Sequence, residues 1–351
     1  LRFLKSMLLK SLTLINFRNY SQAKFGFSPG LNLIIGPNAS GKTNLLEAVY
    51  LLATGDSFRA SKNEQMIGWQ KDYALIEAET DDHQLKISLA KKDGRVKKEF
   101  WLDGVKKSRR QFLEAFLAVV FRPEEIRIVT GSPARRREFL DKVLSPLDWQ
   151  YRRAVLAYEK ALRRRNRVLL AIGQGEATEQ ELFYWDQALA KNGEIIRRAR
   201  EEFFAFVNQF FAQGKFPYLS CRYSANPVTL ELLKSRLDQD LERASTSCGP
   251  HRDDFALLDQ RVPAEDKNLA FWGSRGQQRL AILALKLAQL AFIEEKKGQQ
   301  PVLLLDDIFS ELDQEGDRLV TSLLKDYQAL LTSTDELAFS VEANQISLAN
   351  P

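Results

Sequence analysis

The chain has 351 residues, enough for two domains with separate cores, and its 44% hydrophobic and 28% charged residues are typical of an ordinary globular protein. Its net charge is +5, which alone is weak support for a polyanionic partner. No apolar run approaches the roughly 20 residues that cross a bilayer, and residues 1–9 are too short and interrupted for a signal peptide. Cys221 and Cys248 form no metal-binding or disulfide pattern, so we expect a cytoplasmic protein that does not contact a membrane.

The first elements are strands. Residues 8–20 and 23–36 alternate apolar and polar side chains and become fully apolar at Leu31-Asn32-Leu33-Ile34-Ile35. Alternation with a period of two predicts half-buried strands, and a continuous apolar run predicts a buried one. We therefore expect edge strands that lead into a central strand. Residues 73–105 alternate again, and Asp93-Gly94 within them is a strong hairpin signal.

The central strand leads into Gly36-Pro37-Asn38-Ala39-Ser40-Gly41-Lys42-Thr43, which fits the phosphate-loop pattern G-x-x-x-x-G-K-[ST]. Residues 44–52 read as the helix that must follow. In such a loop the backbone N–H groups point at the phosphates, Lys42 reaches the β- and γ-phosphates, and the Thr43 hydroxyl ligates Mg²⁺. The motif predicts an ATP site with Mg²⁺ and a catalytic role for Lys42; a chance glycine turn is the alternative.

A basic segment follows between residues 127 and 167. It contains twelve Lys or Arg residues against four Asp or Glu residues, namely Glu138, Asp141, Asp148 and Glu159. Such a region attracts polyanions through counterion release, although a solvated helix face is an equally good interpretation of this segment alone. The candidate DNA contacts are its arginines Arg135, Arg136, Arg137, Arg152, Arg153, Arg163, Arg164 and Arg165.

The hydrophobic period becomes helical from residue 151. A second repeat advances by three and four residues without a miss, through Leu182, Trp185, Leu189, Asn192, Ile196, Ala199, Phe203, Phe206 and Phe210. This heptad pattern predicts two long antiparallel helices that form a short coiled-coil-like arm. Asn192 and Gly193 are expected to weaken the arm locally, as a kink.

Strand character returns near residue 302. Val302-Leu303-Leu304-Leu305-Asp306-Asp307 has the Walker B form, in which Asp306 holds Mg²⁺ through water and Asp307 accepts a proton from the attacking water. Ser310-Glu311-Leu312-Asp313 follows it, and Ser274-Arg275-Gly276-Gln277 precedes it at the start of a helix whose N-terminus suits an anion. Together these motifs are much more specific than a strand that ends in two acids.

The order of these motifs resembles the ATP-binding-cassette ATPases of the SMC type and, within that class, the bacterial RecF family. The match extends over nearly the whole chain in order. It rests on the phosphate loop and on Asn16-Phe17-Arg18-Asn19-Tyr20, Gly131-Ser132-Pro133 with Arg135-Arg136-Arg137, Gly249-Pro250-His251-Arg252-Asp253-Asp254, Gly276-Gln277-Gln278-Arg279 and Leu305-Asp306-Asp307-Ile308-Phe309-Ser310-Glu311-Leu312-Asp313.

The resemblance implies an α/β fold, a P-loop ABC-type ATPase head with a mixed sheet and helices, plus an inserted helical arm. We expect the head at residues 1–125 and 241–351 and the basic arm at 126–240. It also implies that Ser274, Gly276 and Gln277 complete the nucleotide site of a second copy, so that ATP drives a homodimer. The dimer is expected to hold double-stranded DNA near gaps or junctions, to work with RecR and RecO, and to help load RecA.

Three departures from cassette ATPases predict slow hydrolysis. Asp307 stands where glutamate is usual, Thr334 falls at the switch-histidine position, and Arg122 lies at the centre of the segment that takes the place of the Q-loop. A transporter subunit is disfavoured because the insertion is long and basic. A larger SMC-type repair ATPase and a DNA-binding scaffold with little turnover remain as alternatives. For residues 249–254 we favour a functional loop near the nucleotide or dimer surface over a structural turn.

Overall fold

The computed structural model describes residues 5–6, 8–308, 318, 320–322, 324–334 and 342–349. The chain divides into two compact units, which we call unit 1 and unit 2. Unit 1 consists of Leu1–Glu125 and Ile293–Pro351, and unit 2 consists of Ile126–Phe292. Among the described residues, no helix has the length and apolarity required to cross a membrane.

Most of the strands of unit 1 lie in its N-terminal part. In chain order its first part contains β1 (Lys5–Ser6), β2 (Leu9–Phe17), β3 (Tyr20–Gly26), β4 (Leu31–Ile35), α1 (Lys42–Thr54), β5 (Tyr73–Thr80), β6 (Gln84–Lys92), β7 (Arg95–Leu102), β8 (Val105–Lys107), α2 (Arg109–Leu113) and β9 (Ala118–Phe121). The strands predicted in residues 8–36 and 73–105 and the helix predicted after the phosphate loop are confirmed.

Unit 2 is mainly helical. It contains α3 (Arg127–Thr130), α4 (Pro133–Leu147), α5 (Trp149–Gly173), α6 (Phe183–Gln213), β10 (Leu219–Ser224), α7 (Leu230–Ser235), α8 (Leu237–Glu242), β11 (Asp254–Asp259), α9 (Leu269–Trp272) and most of α10 (Arg275–Lys297). The described strands that follow belong to unit 1: β12 (Gln299–Gln300), β13 (Val302–Asp306), β14 (Ala329–Ser333) and β15 (Ala343–Ser347).

Two sheets enclose the core of unit 1. An antiparallel sheet has the order β3-β2-β5-β6-β7-β8, and a parallel sheet has the order β15-β4-β14-β13-β9. Residues 45–53 of α1 are all buried, so this part of the helix is surrounded by the core on every side. Its side chains share one core with Leu12 and Ile87 of the antiparallel sheet and Leu304 of the parallel sheet. The start of α1 is thereby fixed at the carboxyl end of β4.

Helices α5 and α6 form the predicted antiparallel arm. Arg165 contacts Asp186, whereas Tyr151, near the other end of α5, contacts Arg200. Helix α6 is continuous through Asn192 and Gly193, so the prediction of a local weakening is not matched by any break in the helix. Gly193 instead allows close packing, because a Cβ there would lie 2.2 Å from Val228 Cγ1.

The buried face of α6 matches the predicted heptad seam at Leu189, Ile196 and Phe203 and differs from it at four other positions. There the buried residues Gly193, Arg200, Val207 and Phe211 lie one residue beyond the predicted Asn192, Ala199, Phe206 and Phe210. A strict seven-residue repeat drifts relative to a straight α-helix, which has 3.6 residues per turn. The shift places Arg200 in the interior, where it requires partners.

We expected the ATPase head to resume at residue 241, but unit 2 extends to Phe292. Residues up to Phe292 group with unit 2 because β11 pairs antiparallel with β10 in the register Cys221↔Leu257. The segment 249–254, which leads into β11, adds further contacts inside unit 2. Asp253 is buried and accepts hydrogen bonds from Arg200, from the Tyr223 hydroxyl and from the Asn226 N–H.

Other parts of the same segment also pack inside unit 2. His251 Nδ1 lies 2.8 Å from the Tyr158 hydroxyl, and Gly249 has φ +124° with Tyr158 so close that a Cβ would clash. Asp254 forms a two-point ion pair with Arg136. For the residues with these contacts, the structure favours the structural interpretation over the functional one, because the segment joins α4, α5 and α6 to the β10–β11 pair.

Candidate phosphate-binding site

The phosphate loop connects β4 to α1 through a tight backbone path. Gly41 has φ +107°, a conformation that side chains disfavour, and a Cβ there would lie 2.8 Å from the Tyr20 hydroxyl oxygen and 2.7 Å from Asn19 Nδ2. Gly36 has equally little space, because its Cβ would approach Ser40 Oγ at 2.7 Å. The glycines of the motif are therefore required for close packing as well as for access to a ligand.

Two polar groups of the loop have the chemistry that a phosphate chain requires. The Lys42 ammonium donates to the carbonyl oxygens of Gly36 and Pro37, at 2.5 and 3.0 Å, and so lies across the loop. Ser40 Oγ is buried and has no hydrogen-bond partner among the described residues. A buried hydroxyl without a partner is costly. A phosphate oxygen would supply the missing acceptor, so these residues fit the phosphates of a nucleotide.

The turn between β2 and β3 holds the loop from the opposite side. Asn19 Nδ2 donates to the Ser40 carbonyl at 3.3 Å, and the Tyr20 hydroxyl donates to the Gly41 carbonyl at 3.0 Å. Asn44 Nδ2 donates to Asn19 Oδ1 at 2.8 Å, which connects the first turn of α1 to the same group. From the sequence, Asn19 and Tyr20 belong to a family motif, but no role could be predicted for either residue.

A buried ion pair fixes this turn to α1. Glu47 is fully buried, and both of its carboxylate oxygens accept hydrogen bonds from Arg18, at 2.8 and 2.6 Å. The Ser57 hydroxyl also donates to Glu47. Such a two-point arginine–carboxylate pair is directional and resists rotation. Its consequence is that Asn19, which follows Arg18 directly, has a fixed position relative to the phosphate loop.

Asp306 lies at the carboxyl end of β13 within reach of the loop. Its Oδ1 accepts hydrogen bonds from the Thr43 hydroxyl at 3.0 Å and from the Thr332 hydroxyl at 2.9 Å. Burial raises the pKa of Asp306 above its usual value, against the opposing effects of these two hydrogen bonds and of the Arg122 charge. A bound cation would favour the carboxylate form and replace the Thr43 proton as its partner. Thr43 and Asp306 are the pair expected for Mg²⁺.

The residue after Asp306 adopts a left-handed conformation. Asp307 has φ +48°, its side chain is exposed, and its backbone N–H donates to Thr332 Oγ1 at 3.0 Å. The parallel register Asp306↔Thr332 between β13 and β14 places this threonine beside both acids. Thr334 stays the predicted switch residue, and Thr332 was not identified from the sequence. Residues 309–313, which were part of the motif assignment, lie outside the described residues.

Arg122 follows β9 at the same edge of the sheet, since Phe121 pairs with Leu305. Its guanidinium lies 4.3 Å from the centroid of the Phe58 ring, and its Nε is buried without a hydrogen-bond partner among the described residues. An arginine stacked on an aromatic ring is held in place by the cation–π interaction. The segment proposed to take the place of the Q-loop therefore brings a positive charge to Asp306.

The S-x-G-Q residues lie in unit 2, at the start of α10. Ser274 and Gln277 form a capping box, with Gln277 Oε1 accepting from the Ser274 N–H at 2.9 Å and Ser274 Oγ accepting from the Gln277 N–H at 3.3 Å. Ser274 and Gly276 are exposed, and Gln278 is buried and donates to the Leu269 carbonyl at 2.8 Å. The exposed helix N-terminus keeps the anion-binding character that the sequence predicted.

The arginines predicted to contact DNA separate into two groups. Arg165 is fully buried and pairs with Asp186 and Asp240, both at 2.6 Å, so its assignment as a DNA contact is wrong. Arg136 is similarly occupied by Asp254, and Arg137 is half-buried and donates to the Asp253 carbonyl. A charged side chain enters a protein interior only when it is paired. The exposed members of the set are Arg135, Arg153, Arg163 and Arg164, with Arg152 half-exposed.

The buried position of Arg165 leads to a test of stability. Arg165→Met removes the cation that the buried Asp240 carboxylate and the partly buried Asp186 carboxylate share, so we expect the free energy of unfolding of the helical unit to fall by about 3–5 kcal/mol. Arg163→Met, two residues away and exposed, serves as the matched control and should change it by less than about 0.5 kcal/mol. Urea unfolding followed by far-ultraviolet circular dichroism measures both. Equal midpoints for the two variants would contradict the buried ion-pair assignment.

Comparisons with known proteins agree with this geometry. The family model described as RecF/RecN/SMC N terminal domain matches residues 8–349. The DNA replication and repair protein RecF of Clostridium perfringens is 35% identical over 347 residues, which cover 93% of each chain. The protein of the same name from Caldanaerobacter subterraneus subsp. tengcongensis is 35% identical over 352 residues, which cover 94% of this chain and 95% of that one.

Solved structures lead to the same family. The recombination mediator protein RecF-ATPrS in the RecFOR pathway matches with a TM-score of 0.86 and 33% identity, covering 99% of this chain and 98% of that chain. The Smc head domain of Pyrococcus furiosus, at 18% identity and a TM-score of 0.50, shares the fold. The predicted mixed α/β ATPase head with an inserted helical arm is confirmed. The chain belongs to the RecF/RecN/SMC family and, within it, to the bacterial RecF DNA replication and repair proteins.

Proposed function

We propose that this protein is an ATP-controlled DNA clamp of replication and gap repair, in which ATP closes a homodimer on duplex DNA and slow hydrolysis reopens it. The observation that carries the proposal is the convergence of Thr43 and Asp306, 3.0 Å apart, beside a phosphate loop with an unpartnered buried hydroxyl. RecF proteins solved as RecF-ATP and RecF-ATPrS support ATP as the nucleotide. The proposed location is the cytoplasm, as the sequence suggested.

The proposal gives roles at the nucleotide site to five residues. Lys42 binds and neutralises the β- and γ-phosphates, and the backbone N–H groups of residues 36–43 contact phosphate oxygens. Thr43 and Asp306 hold Mg²⁺, which supplies charge neutralisation at the phosphates. Asp307 accepts the proton of the attacking water. Its shorter side chain, compared with glutamate, and the hydroxyl of Thr334 at the switch-histidine position both favour slow turnover.

Dimerisation follows from the location of the S-x-G-Q residues. Ser274, Gly276 and Gln277 are proposed to contact the γ-phosphate held by a second copy, so the closed state is favoured only while that phosphate is present. The exposed positions of Ser274 and Gly276 at the N-terminus of a 23-residue helix are suited to this role. Without the γ-phosphate the two copies lose the ligand that they share, and the clamp opens.

DNA is the proposed polyanion for the basic unit. Arg135, Arg152, Arg153, Arg163 and Arg164 remain the proposed contacts after the buried arginines are removed from the set. They would contact phosphates and not base edges, so binding should depend on DNA structure more than on sequence. By resemblance to the family, we propose gapped or junction DNA as the target, RecR and RecO as partners, and help in loading RecA as the outcome. A DNA-binding scaffold with little turnover is the remaining alternative.

Removal of the loop lysine tests the nucleotide site. Lys42→Ala should abolish ATP-dependent dimerisation while leaving the fold intact, because the Lys42 ammonium donates to loop carbonyls and to no other group in the part of the chain that the structure describes. Sedimentation with ADP, with ATP, and with ATP plus duplex DNA measures the effect. Lys92→Ala, an exposed lysine of β6, is the control. A Lys42→Ala protein that still dimerises with ATP would refute the assignment.

Replacement of the proposed base tests the timing role. Asp307→Asn preserves the backbone hydrogen bond to Thr332, so nucleotide binding should persist while the ATP-bound dimer lasts at least ten times longer. Single-turnover hydrolysis and dimer lifetime, measured on the same preparation, give the two readouts. Normal turnover in the variant would exclude Asp307 as the base, and no turnover in the parent protein would favour the scaffold alternative.

The exposed arginines predict the salt dependence of DNA binding. Arg135→Ala combined with Arg164→Ala should reduce the slope of log affinity against log salt by about 1.8, since each lost phosphate contact contributes about 0.9. Lys215→Ala combined with Lys234→Ala removes two exposed cations from other elements and is the matched control. If both double variants have the parental slope, the DNA surface does not include Arg135 and Arg164.

A further inference from the structure

The solvent side of α5 carries an ordered pattern that DNA binding does not require. Two parallel rows repeat every seven residues along the helix, and we call them the basic row and the apolar row. The basic row is Arg153, Lys160 and Arg167, and the apolar row is Trp149, Leu156, Arg163 and Leu170. All seven residues are exposed. When the residues of both rows are taken together in chain order, they are separated alternately by four and three residues, which is the heptad spacing of a helix-packing seam.

The apolar row is unusual for a surface. Leu156 is 59% exposed, Leu170 is 50% exposed, and Trp149 is 45% exposed. Single exposed leucines need no explanation, but two leucines and a tryptophan aligned over one helix face suggest an interaction surface. From residue 149 to residue 170 the seam is about 32 Å long, at about 1.5 Å per residue.

The basic row has no acid within it. Glu159, on the same helix, lies beside the seam and approaches Arg163 at 3.7 Å. The other face of α5 is rigidly held, because Tyr151, Ala154, Tyr158, Ala161, Arg165 and Leu169 are buried and Arg165 is paired inside unit 2. The seam is therefore presented on a preorganised helix, which reduces the entropy lost when a partner binds.

We propose that this seam docks an acidic amphipathic helix of a partner protein, whose carboxylates face the basic row and whose apolar side chains cover Leu156 and Leu170. Complementary charge and heptad spacing are the features of this surface that select such a helix. A second copy of the same seam would place cations against cations. DNA phosphates would leave the leucines without an apolar partner. Membrane binding needs a broader apolar face than one row that Arg163 interrupts.

The proposal goes beyond the DNA clamp, and the two share residues. Arg153 and Arg163 belong both to the seam and to the proposed DNA contacts, so a docked helix and a duplex would compete for them. A partner helix would then weaken DNA retention without any contact with the nucleotide site. Leu156 and Leu170 distinguish the two ligands, because a leucine contributes to helix docking and not to phosphate binding.

The test uses the full chain and a fluorescein-labelled synthetic peptide of about four heptads, with leucine on its apolar row and glutamate on the facing row. Fluorescence anisotropy should show binding at low salt, and a peptide with lysine in place of every glutamate should not bind. Leu156→Ser combined with Leu170→Ser should weaken binding of the acidic peptide at least tenfold and leave the affinity for a 30-base-pair duplex within twofold. Val105→Ser combined with Leu230→Ser, which are 55% and 43% exposed on other elements, is the matched control and should change neither.

A charge reversal completes the test. Arg153→Glu with Lys160→Glu and Arg167→Glu should abolish binding of the acidic peptide and create binding of the lysine peptide. The proposal is overturned if the parent protein does not bind the acidic peptide, if the leucine variant loses DNA and peptide equally, or if that variant loses binding to anionic lipid vesicles that the parent binds. The second result would assign the whole seam to DNA, and the third would assign it to a membrane surface.

Discussion

The parallel pairing of β4, β14 and β13 is the constraint on which the nucleotide site depends. Carboxyl ends of parallel strands meet at one edge of a sheet, so the phosphate loop after β4 and Asp306 at the end of β13 come together although 263 residues separate Thr43 from Asp306. β14 lies between them and contributes Thr332, whose hydroxyl contacts both the side chain of Asp306 and the backbone of Asp307. A change of register in any of the three strands would separate these groups.

Unit 2 depends on a different constraint, the pairing of charges inside a helical core. Arg165 and Arg200 are buried, and each meets two carboxylates, so these anions replace part of the hydration that each guanidinium loses, although Nη2 of Arg165 has no hydrogen-bond partner among the described residues. Losing one partner leaves a buried charge unpaired, which costs more than an apolar deletion of similar size. Within residues 249–254, Asp253 is buried and pairs with Arg200, and the half-buried Asp254 pairs with Arg136, which explains why these two acids lie against the core of unit 2.

Local patterns were the part of the molecule that the sequence could predict. The phosphate loop, the Walker B strand, the strands of the antiparallel sheet and the two arm helices are each defined by contiguous residues and were identified from them. Contacts between segments that are far apart in the sequence could not be identified in this way. Thr332 reaches the site through the register of β13 and β14. The Asn19–Tyr20 turn is held there by the Arg18–Glu47 ion pair. Neither contact can be predicted from a local sequence pattern. In α6, Leu189, Ile196 and Phe203 are buried as predicted, but other seam positions are displaced by one residue because the buried face also accommodates Gly193 and Arg200.

The arginines show why a count of charge does not identify a ligand surface. The same segment contains Arg165, which stabilises the core, and Arg163, which is exposed, and only the helical phase separates them. Helical phase also separates the exposed residues: Arg153, Lys160 and Arg167 form the basic row beside the apolar row, whereas Arg135 belongs to another helix. A polyanion requires only positive charge, but an ordered apolar row beside the cations requires a ligand with its own apolar row. The geometry of α5 thus carries information about a partner that neither net charge nor the number of arginines contains.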